Sequence, residues 1–184
     1  MGKLYVSLDS ELQEWLVQQK VFFVATAPLA GTGHVNCSPK GGDTFCVLSE
    51  SEVAYLDLTG SGIETAAHLQ ENGRIVMMFC AFFGPPKIVR LHGKGEVVYP
   101  THSDFSELSR RFPDHPGARA IVRVRLTRIS DSCGHGVPLL EFVASRDLLD
   151  KWSVKQGPDG LSAYRRTKNQ VSIDGITGYK PDQA

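Results

Sequence analysis

The stretch that decides the fold is residues 36–79, NCSPKGGDTFCVLSESEVAYLDLTGSGIETAAHLQENGRIVMMF. Two short apolar runs in it, FCVLS and VAYLDL, are separated by Glu-Ser-Glu, which is typical of consecutive antiparallel strands joined by a tight turn. After TGSG the pattern becomes helical, because Ser61 and Glu64 form a capping-box pair and Asn72 with Gly73 supplies a stop signal. A basic turn, a strand pair and a helix start are therefore adjacent, and these are the parts needed to hold an anionic cofactor.

Runs of strand-like and helical periodicity flank this stretch on both sides. Residues 8–19 predict an amphipathic helix, and residues 118–129 alternate strictly between apolar and mostly basic side chains, which predicts a strand whose arginines face water. Further strands are predicted at 20–27, from His34 onward, at 74–83, at 87–99 and, as a last return, at 139–144, and further helices at 103–112, 145–157 and 158–164. About seven strands without a repeated strand-helix-strand order predict a mostly antiparallel barrel with helices packed outside it.

The composition bounds the class of protein. The 184 residues fit one domain, and Lys+Arg equals Asp+Glu at 20 each. A chain with this neutral balance lacks the excess positive charge that is typical of proteins that bind nucleic acid or an anionic membrane. The sequence shows neither a signal-peptide pattern nor an apolar run of membrane-spanning length, so we expect a soluble, cytoplasmic protein. Its four cysteines form no CxxC pair, and we expect them to be free thiols.

Two glycine-containing turns are candidate anion-binding elements. Ser38 and Lys40, in SPKGG, offer a hydroxyl and an ammonium beside glycines that let backbone N–H groups approach a ligand. Thr59 and Ser61, in TGSG, precede a helix whose first N–H groups are unpaired and whose dipole is positive at that end. Taken alone, each turn is more simply explained as a hairpin turn or a helix cap, and no Walker or dinucleotide-binding fingerprint is present.

Cys133 and His135 stand two positions apart in the turn SCGHG. A thiol and an imidazole in that order are compatible with a nucleophile-base pair or with two metal ligands. A glycine turn with an incidental thiol explains the pair more simply, because isolated Cys and His residues are common. We therefore predict no metal site and assign no catalytic residue.

The order of the elements resembles the pyridoxamine 5'-phosphate oxidase-related family of FMN-binding split barrels. The similarity covers about residues 20–99 in a specific order: strand, SPKG turn, strand pair, TG-x-G, helix ending in Asn-Gly-Arg, apolar strand and VRLHGKGEV. It implies a mainly β (α+β) fold, a six-stranded antiparallel split β-barrel with peripheral helices. It also implies a homodimer that binds FMN in clefts at the subunit interface. We expect one flavin-binding domain over residues 1–184, with its core at about 20–144 and a helical C-terminal extension at about 145–184.

The resemblance also assigns cofactor-binding residues. In the family, the segment that ends at Lys40 lies along the isoalloxazine ring and its lysine helps to hold the phosphate, while the strand-to-helix turn supplies further phosphate contacts. The strand KIVRLHG faces the flavin from near the interface. The residues assigned in this way are Asn36, Cys37, Ser38, Pro39, Lys40, Thr59, Ser61, Glu64, Thr65 and Arg90.

The sequence departs from the family pattern at the helix start. Where the oxidase proper has an Arg-Lys pair, this chain has Glu64 and Thr65, and Ile88 replaces a flavin-contacting glutamine. The loss of two cations beside a phosphate removes charge-assisted hydrogen bonds, each worth about 1.5–3 kcal/mol. We therefore expect FMN to be held differently or to be replaced by another flavin, with the deazaflavin F420 and FAD as alternatives. Haem is a further alternative, because some split-barrel proteins that the chain resembles bind haem.

Three possibilities remain open, of which the plainest is a structural dimer that has lost cofactor binding. The first is a flavin-dependent oxidoreductase that acts on a small molecule, with an F420-dependent reductase as its variant. The second is a non-catalytic protein that binds or senses a flavin or haem. The sequence from SCGHGVP onward resembles an extension in a subset of family members, without a known role, and not the oxidase's substrate-binding segment. Oxidation of pyridoxamine phosphate is thus not expected.

Overall fold

The computed structural model describes residues 2–179. In this part of the chain the strand-like runs do form strands, because their alternating side chains bury one face and leave the other closer to water. The strands are β1 (Leu4–Tyr5), β2 (Val21–Thr26), β3 (Asn36–Gly41), β4 (Phe45–Ser49), β5 (Glu52–Leu58), β6 (Arg74–Cys80), β7 (Ile88–Val98) and β8 (Ala118–Ser132). The helices are α1 (Ser10–Gln18), α2 (Glu64–Asn72), α3 (Phe105–Ser109) and α4 (Leu148–Lys168).

The strands form one antiparallel sheet in the order β3-β2-β6-β7-β8-β5-β4, with β1 paired to β8. A bulge at His92 and Gly93 bends β7 against β8, which helps to curl the sheet into a half-barrel. The predicted split-barrel architecture is confirmed. Within residues 2–179, however, the sheet has eight strands and not six. β1 has only two residues, too few to give a periodic pattern, and the predicted return strand at 139–144 is irregular and exposed.

The barrel interior is filled by aromatic rings and aliphatic side chains. Phe22 stacks on Phe79 with ring centroids 5.2 Å apart, and Phe45 packs edge-on against Phe79 at 4.9 Å. Leu12 and Leu16 of α1 are buried in the same cluster, and each contributes about 1.5–3 kcal/mol by leaving water. This packing holds β2, β4 and β6 around a common core, so the strand ends that carry the candidate site have fixed positions.

The start of α2 differs from the prediction. The helix begins at Glu64, the residue at the N-cap position is Ile63, and no side chain caps the helix, so Ser61 is not a cap. The predicted end of the helix is confirmed. Gly73 adopts a left-handed conformation with φ of 69°, which glycine tolerates without steric cost, and its N–H donates to the carbonyl oxygen of Leu69.

α4 lies in the predicted C-terminal extension and breaks in the middle. Gly157 has φ of 64° and ψ of 176°, outside the helical region, so Pro158 opens a second helical segment as the sequence predicts. This segment continues to Lys168 and packs against the connection between β5 and α2. Within residues 2–179 no helix is both long enough and apolar enough to cross a membrane.

Candidate functional site

The first predicted element, SPKGG, lies on the edge strand β3. This strand pairs with β2 alone, so one row of its backbone groups faces away from the sheet. Along β3 the side chains of Asn36, Ser38 and Lys40 are half-buried, whereas those of Cys37 and Pro39 are exposed on the opposite face. Three of the five predicted β3 side chains therefore face the protein, and two point away from it.

A chain of hydrogen bonds joins β3 to the start of α2. The Asn36 side-chain amide donates to Oγ1 of Thr65 at 2.9 Å, and the Ser38 hydroxyl donates to Oδ1 of Asn36 at 3.0 Å. On the other side of Asn36, the Thr26 hydroxyl lies 3.0 Å from Nδ1 of His68. The structure thus brings together two predicted elements that are far apart in the sequence.

Lys40 takes part in a buried triad of charges. Its Nζ lies 3.3 Å from one carboxylate oxygen of Asp57, while Arg119 binds the other oxygen through Nη2 at 2.6 Å and Nε at 2.9 Å. Burial by itself raises the pKa of Asp57, but Arg119 and Lys40 outweigh it and hold that pKa below its ordinary value. With two cations and one carboxylate, the triad carries a net positive charge beside β3.

Neither Asp57 nor Arg119 was predicted as part of the site. The expectation that the β8 arginines face water is wrong for Arg119, whose side chain is buried by its pairing with Asp57. Asp57 did carry a signal, because an acidic residue in the apolar run VAYLDL needs a buried partner. The partner lies 62 residues further along the chain, where periodicity gives no indication of it.

The turn at residues 59–62 is held by α4. Thr59 is fully buried, and its Oγ1 accepts a hydrogen bond from Nε of Arg165 at 2.9 Å. The side-chain amide of Asn169 donates to the carbonyl oxygens of Gly60 at 2.8 Å and Ser61 at 3.3 Å. The hydroxyl of Ser61 is exposed and has no hydrogen-bond partner among residues 2–179. The carbonyl side of the predicted phosphate turn is therefore occupied by the chain's own C-terminal helix.

The N-terminus of α2 carries no side-chain cap. Its first N–H groups have no intrahelical acceptors and lie at the positive end of the helix dipole. Glu64 does not fill this role, because its carboxylate accepts a hydrogen bond from the backbone N–H of Ile173 at 3.3 Å. Thr65 lies in the same first turn with its hydroxyl bonded to Asn36.

Tyr55 adds a buried phenol to the same region. Its side chain is fully buried, and its hydroxyl lies beside the side chain of Thr65. The ammonium of Lys40 lies 5.6 Å from the centre of its ring. A net positive triad and an uncapped helix start fit a phosphate group, because its oxygens would supply the charge and the acceptors that both lack.

The remaining predicted residues lie elsewhere. Arg90 is half-buried on β7 and donates to the Ser132 hydroxyl at 3.0 Å. Within the described residues it makes no hydrogen bond to Asn36, Ser38 or Lys40. Cys133 and His135 are exposed, and no hydrogen bond within the described residues joins them. The described residues contain no group of three or more His, Cys, Asp or Glu side chains placed to hold a metal ion.

Comparisons with known proteins agree with this architecture. The sequence profile of the family described as pyridoxamine 5'-phosphate oxidase matches residues 8–133. A curated relative from Aspergillus flavus, pyridoxamine 5'-phosphate oxidase family protein ustO, is 38% identical over 197 aligned positions, which cover 97% of this chain and 78% of the relative.

Solved structures share the fold at low sequence identity. A candidate pyridoxamine 5'-phosphate oxidase from Lactobacillus delbrueckii superposes with a TM-score of 0.53 and 20% identity, over 69% of this chain and 98% of the other. An FAD-binding protein from Mesorhizobium loti has a TM-score of 0.50 and 14% identity, over 71% and 96% of the two chains. On the profile match and the 38% identical relative, this chain belongs to the pyridoxamine 5'-phosphate oxidase family.

Proposed function

We propose that this protein binds FMN and acts as a flavin-dependent oxidoreductase on a small molecule. The observation that carries the proposal is the cluster at β3 and α2, where the Lys40–Asp57–Arg119 triad lies beside the uncapped helix start and the Asn36–Thr65 hydrogen bond joins the helix to β3. The family membership and an FAD-binding relative of the same fold support a flavin as the ligand. When bound, the isoalloxazine ring supplies the hydride or electron transfer.

The residues of this chain bind and orient the cofactor. Lys40, the Thr65 hydroxyl and the first N–H groups of α2 hold the phosphate, and the triad supplies the positive charge that the missing Arg-Lys pair would have given. The free edge of β3 offers backbone donors and acceptors to the polar edge of the ring. Arg165 of α4 and Asn169, which follows the helix, occupy the far side of the turn, which favours a cofactor that ends in a monophosphate over one that continues to an adenosine.

A homodimer with the cofactor at the subunit interface is part of the proposal. Its support is the exposed apolar segment that follows β8, where Leu139, Leu140, Phe142 and Val143 are 76%, 55%, 52% and 88% exposed. Contiguous apolar surface of this kind marks interaction sites, because leaving it in water costs free energy. Light scattering after size-exclusion chromatography is expected to give twice the mass of 20.2 kDa, and a monomeric mass contradicts this part.

The absorbance spectrum of the protein as purified tests the cofactor. We expect the absorption bands of an oxidised flavin, with FMN released on denaturation, and FMN should raise the melting temperature of the cofactor-free protein more than FAD, F420 or haem. A haem band or an F420 spectrum would replace FMN by that group. A protein that carries none of these and is stabilised by none contradicts the proposal.

The variant Lys40→Met tests whether the cofactor binds at the cluster formed by β3 and the start of α2. Loss of one charge-assisted contact is expected to weaken FMN binding about 10- to 100-fold. The matched control is Lys155→Met, which removes an exposed lysine on α4 that makes no contact with the cluster. If fluorescence titration gives the same FMN affinity for both variants, the phosphate does not bind at Lys40.

A further inference from the structure

His68 is a buried polar residue beside the proposed flavin site, and the proposed function gives it no role. It lies on α2 and is 0% exposed. Its Nδ1 lies 3.0 Å from the hydroxyl of Thr26, and its Nε2 has no hydrogen-bond partner within the described residues. Burial of an imidazole with an unpaired nitrogen costs free energy that an apolar side chain of similar size would not. Packing alone therefore does not explain a histidine at this position.

Thr26 connects His68 to β3. It is the last residue of β2, is 4% exposed, and lies opposite Asn36 in the register of the two strands. The side-chain amide of Asn36 donates to the Thr26 hydroxyl oxygen at 3.4 Å, which is long for a hydrogen bond. Because His68 and Asn36 approach the same hydroxyl, the contact with His68 holds in place the oxygen that Asn36 meets.

The amide of Asn36 is oriented from both ends. Its Oδ1 accepts a hydrogen bond from the Ser38 hydroxyl at 3.0 Å. Its Nδ2 donates to Oγ1 of Thr65 at 2.9 Å and, more weakly, to Thr26. A side-chain amide has one donor end and one acceptor end, so this arrangement places the donor end at the two threonine hydroxyls. Rotation of the amide by half a turn would place the acceptor end there instead.

The orientation of this amide decides what the Thr65 hydroxyl can do. Because its oxygen accepts from Asn36, its proton stays free for a different acceptor. Without a cofactor, the hydroxyl of Tyr55 beside it can take that proton. In the proposed flavin site a phosphate oxygen at the start of α2 takes it. With the amide rotated, Thr65 would donate to Asn36 and would meet the phosphate with lone pairs only.

We propose that His68 and Thr26 are positioning residues for the flavin phosphate. Held by His68, the Thr26 hydroxyl keeps the Asn36 amide in its observed orientation. In that orientation the Thr65 hydroxyl donates to the phosphate. This inference rests on the proposed function, and it restricts the effect of both residues to the phosphate, because the isoalloxazine ring is bound by other groups.

Two ligands separate this role from a purely structural one, since riboflavin has the ring system of FMN without the phosphate. The full chain, freed of bound flavin, is titrated with each ligand by fluorescence. The variant that combines Thr26→Val with His68→Leu replaces both polar partners by apolar groups of similar size, which costs little stability. We expect it to bind FMN about tenfold more weakly than the unsubstituted protein, with unchanged affinity for riboflavin.

Thr26→Ser is the conservative control, because it keeps the hydroxyl that lies between His68 and Asn36. Its FMN affinity should stay close to that of the unsubstituted protein. Unchanged FMN affinity in the double variant overturns the inference and leaves the proposed flavin site standing, whereas an unsubstituted protein that does not bind FMN overturns both. An equal loss for FMN and riboflavin, or the same loss in Thr26→Ser, also overturns the inference.

Discussion

The two sides of the turn at residues 59–62 are built differently. On the β3 side, Lys40, Thr65 and the start of α2 present donors and positive charge. On the α4 side, Arg165 and Asn169 bond to the turn's own hydroxyl and carbonyl groups. The difference is that the protein itself bonds the α4 side of the turn, whereas the β3 side is where we propose that the phosphate binds.

Removal of the residue that serves both sides is expected to have the largest effect. Arg119 binds Asp57 on the β3 side, and its Nη1 donates to the carbonyl oxygen of Gly62 at 3.2 Å and to Oδ1 of Asn169 at 2.9 Å on the α4 side. Arg119→Met should lower the free energy of unfolding by about 3–5 kcal/mol, because it breaks a buried ion pair and leaves Asp57 with Lys40 alone.

Urea denaturation measures this loss. The control is Arg123→Met, which breaks ion pairs with Glu96 and Asp104 at the surface and should cost no more than about 1 kcal/mol. Equal losses for Arg119→Met and Arg123→Met would show that the buried triad does not connect the two sides of the turn.

Asn169→Ala tests the α4 side on its own. Asn169 is fully buried, so its loss should lower the free energy of unfolding by about 1–3 kcal/mol and should also weaken FMN binding, because the turn loses the bonds that orient it. Thermal unfolding and an FMN titration measure the two effects. Thr167→Ala, two residues before it and exposed, is the matched control. A loss of stability with unchanged FMN affinity would confine Asn169 to a structural role and separate α4 from the cofactor.

The pH dependence of the unfolding free energy tests the β3 side. It is expected to be the smallest of the effects predicted here. Burial lowers the pKa of His68, outweighing the carboxylates of Asp174, Glu64 and Glu71, which raise it. Because the pKa is lower in the folded state, the stability from neutral His68 is present above the unfolded pKa of about 6.5 and is lost as pH falls through the lower folded value. The unfolding free energy is expected to change with pH by at most about 1.4 kcal/mol per pH unit because of this one group.

His68→Asn is the comparison protein for this measurement, followed by urea denaturation between neutral and mildly acidic pH. We expect its unfolding free energy to change less over this range than that of the unsubstituted protein. Identical pH profiles would mean that His68 does not titrate differently in the folded and unfolded states, and that the Thr26–His68 contact is not sensitive to acid.

Much of the barrel follows from local patterns. Alternation predicted β7 and β8, apolar and β-branched runs predicted β2 and β5, and the Asn72-Gly73 signal predicted the end of α2, since these features depend on neighbouring residues only. Where the helix starts was less predictable. Ser61 and Glu64 match a capping box, but the polar atoms of α4 and of the segment after it bind the Ser61 carbonyl and the Glu64 side chain, so the helix starts later and without a cap.

The sequence by itself determined the β3 side of this protein, because SPKGG and TGSG lie within one continuous stretch and their order is specific enough to indicate the family. Only the tertiary structure showed which residues bond the α4 side of the turn and which residues form the charged triad. Arg165 meets Thr59 across 106 residues and Arg119 meets Asp57 across 62. Such contacts depend on how packed elements meet in three dimensions, and a buried charge finds its partner there and not along the chain, so periodicity and spacing carry no trace of them.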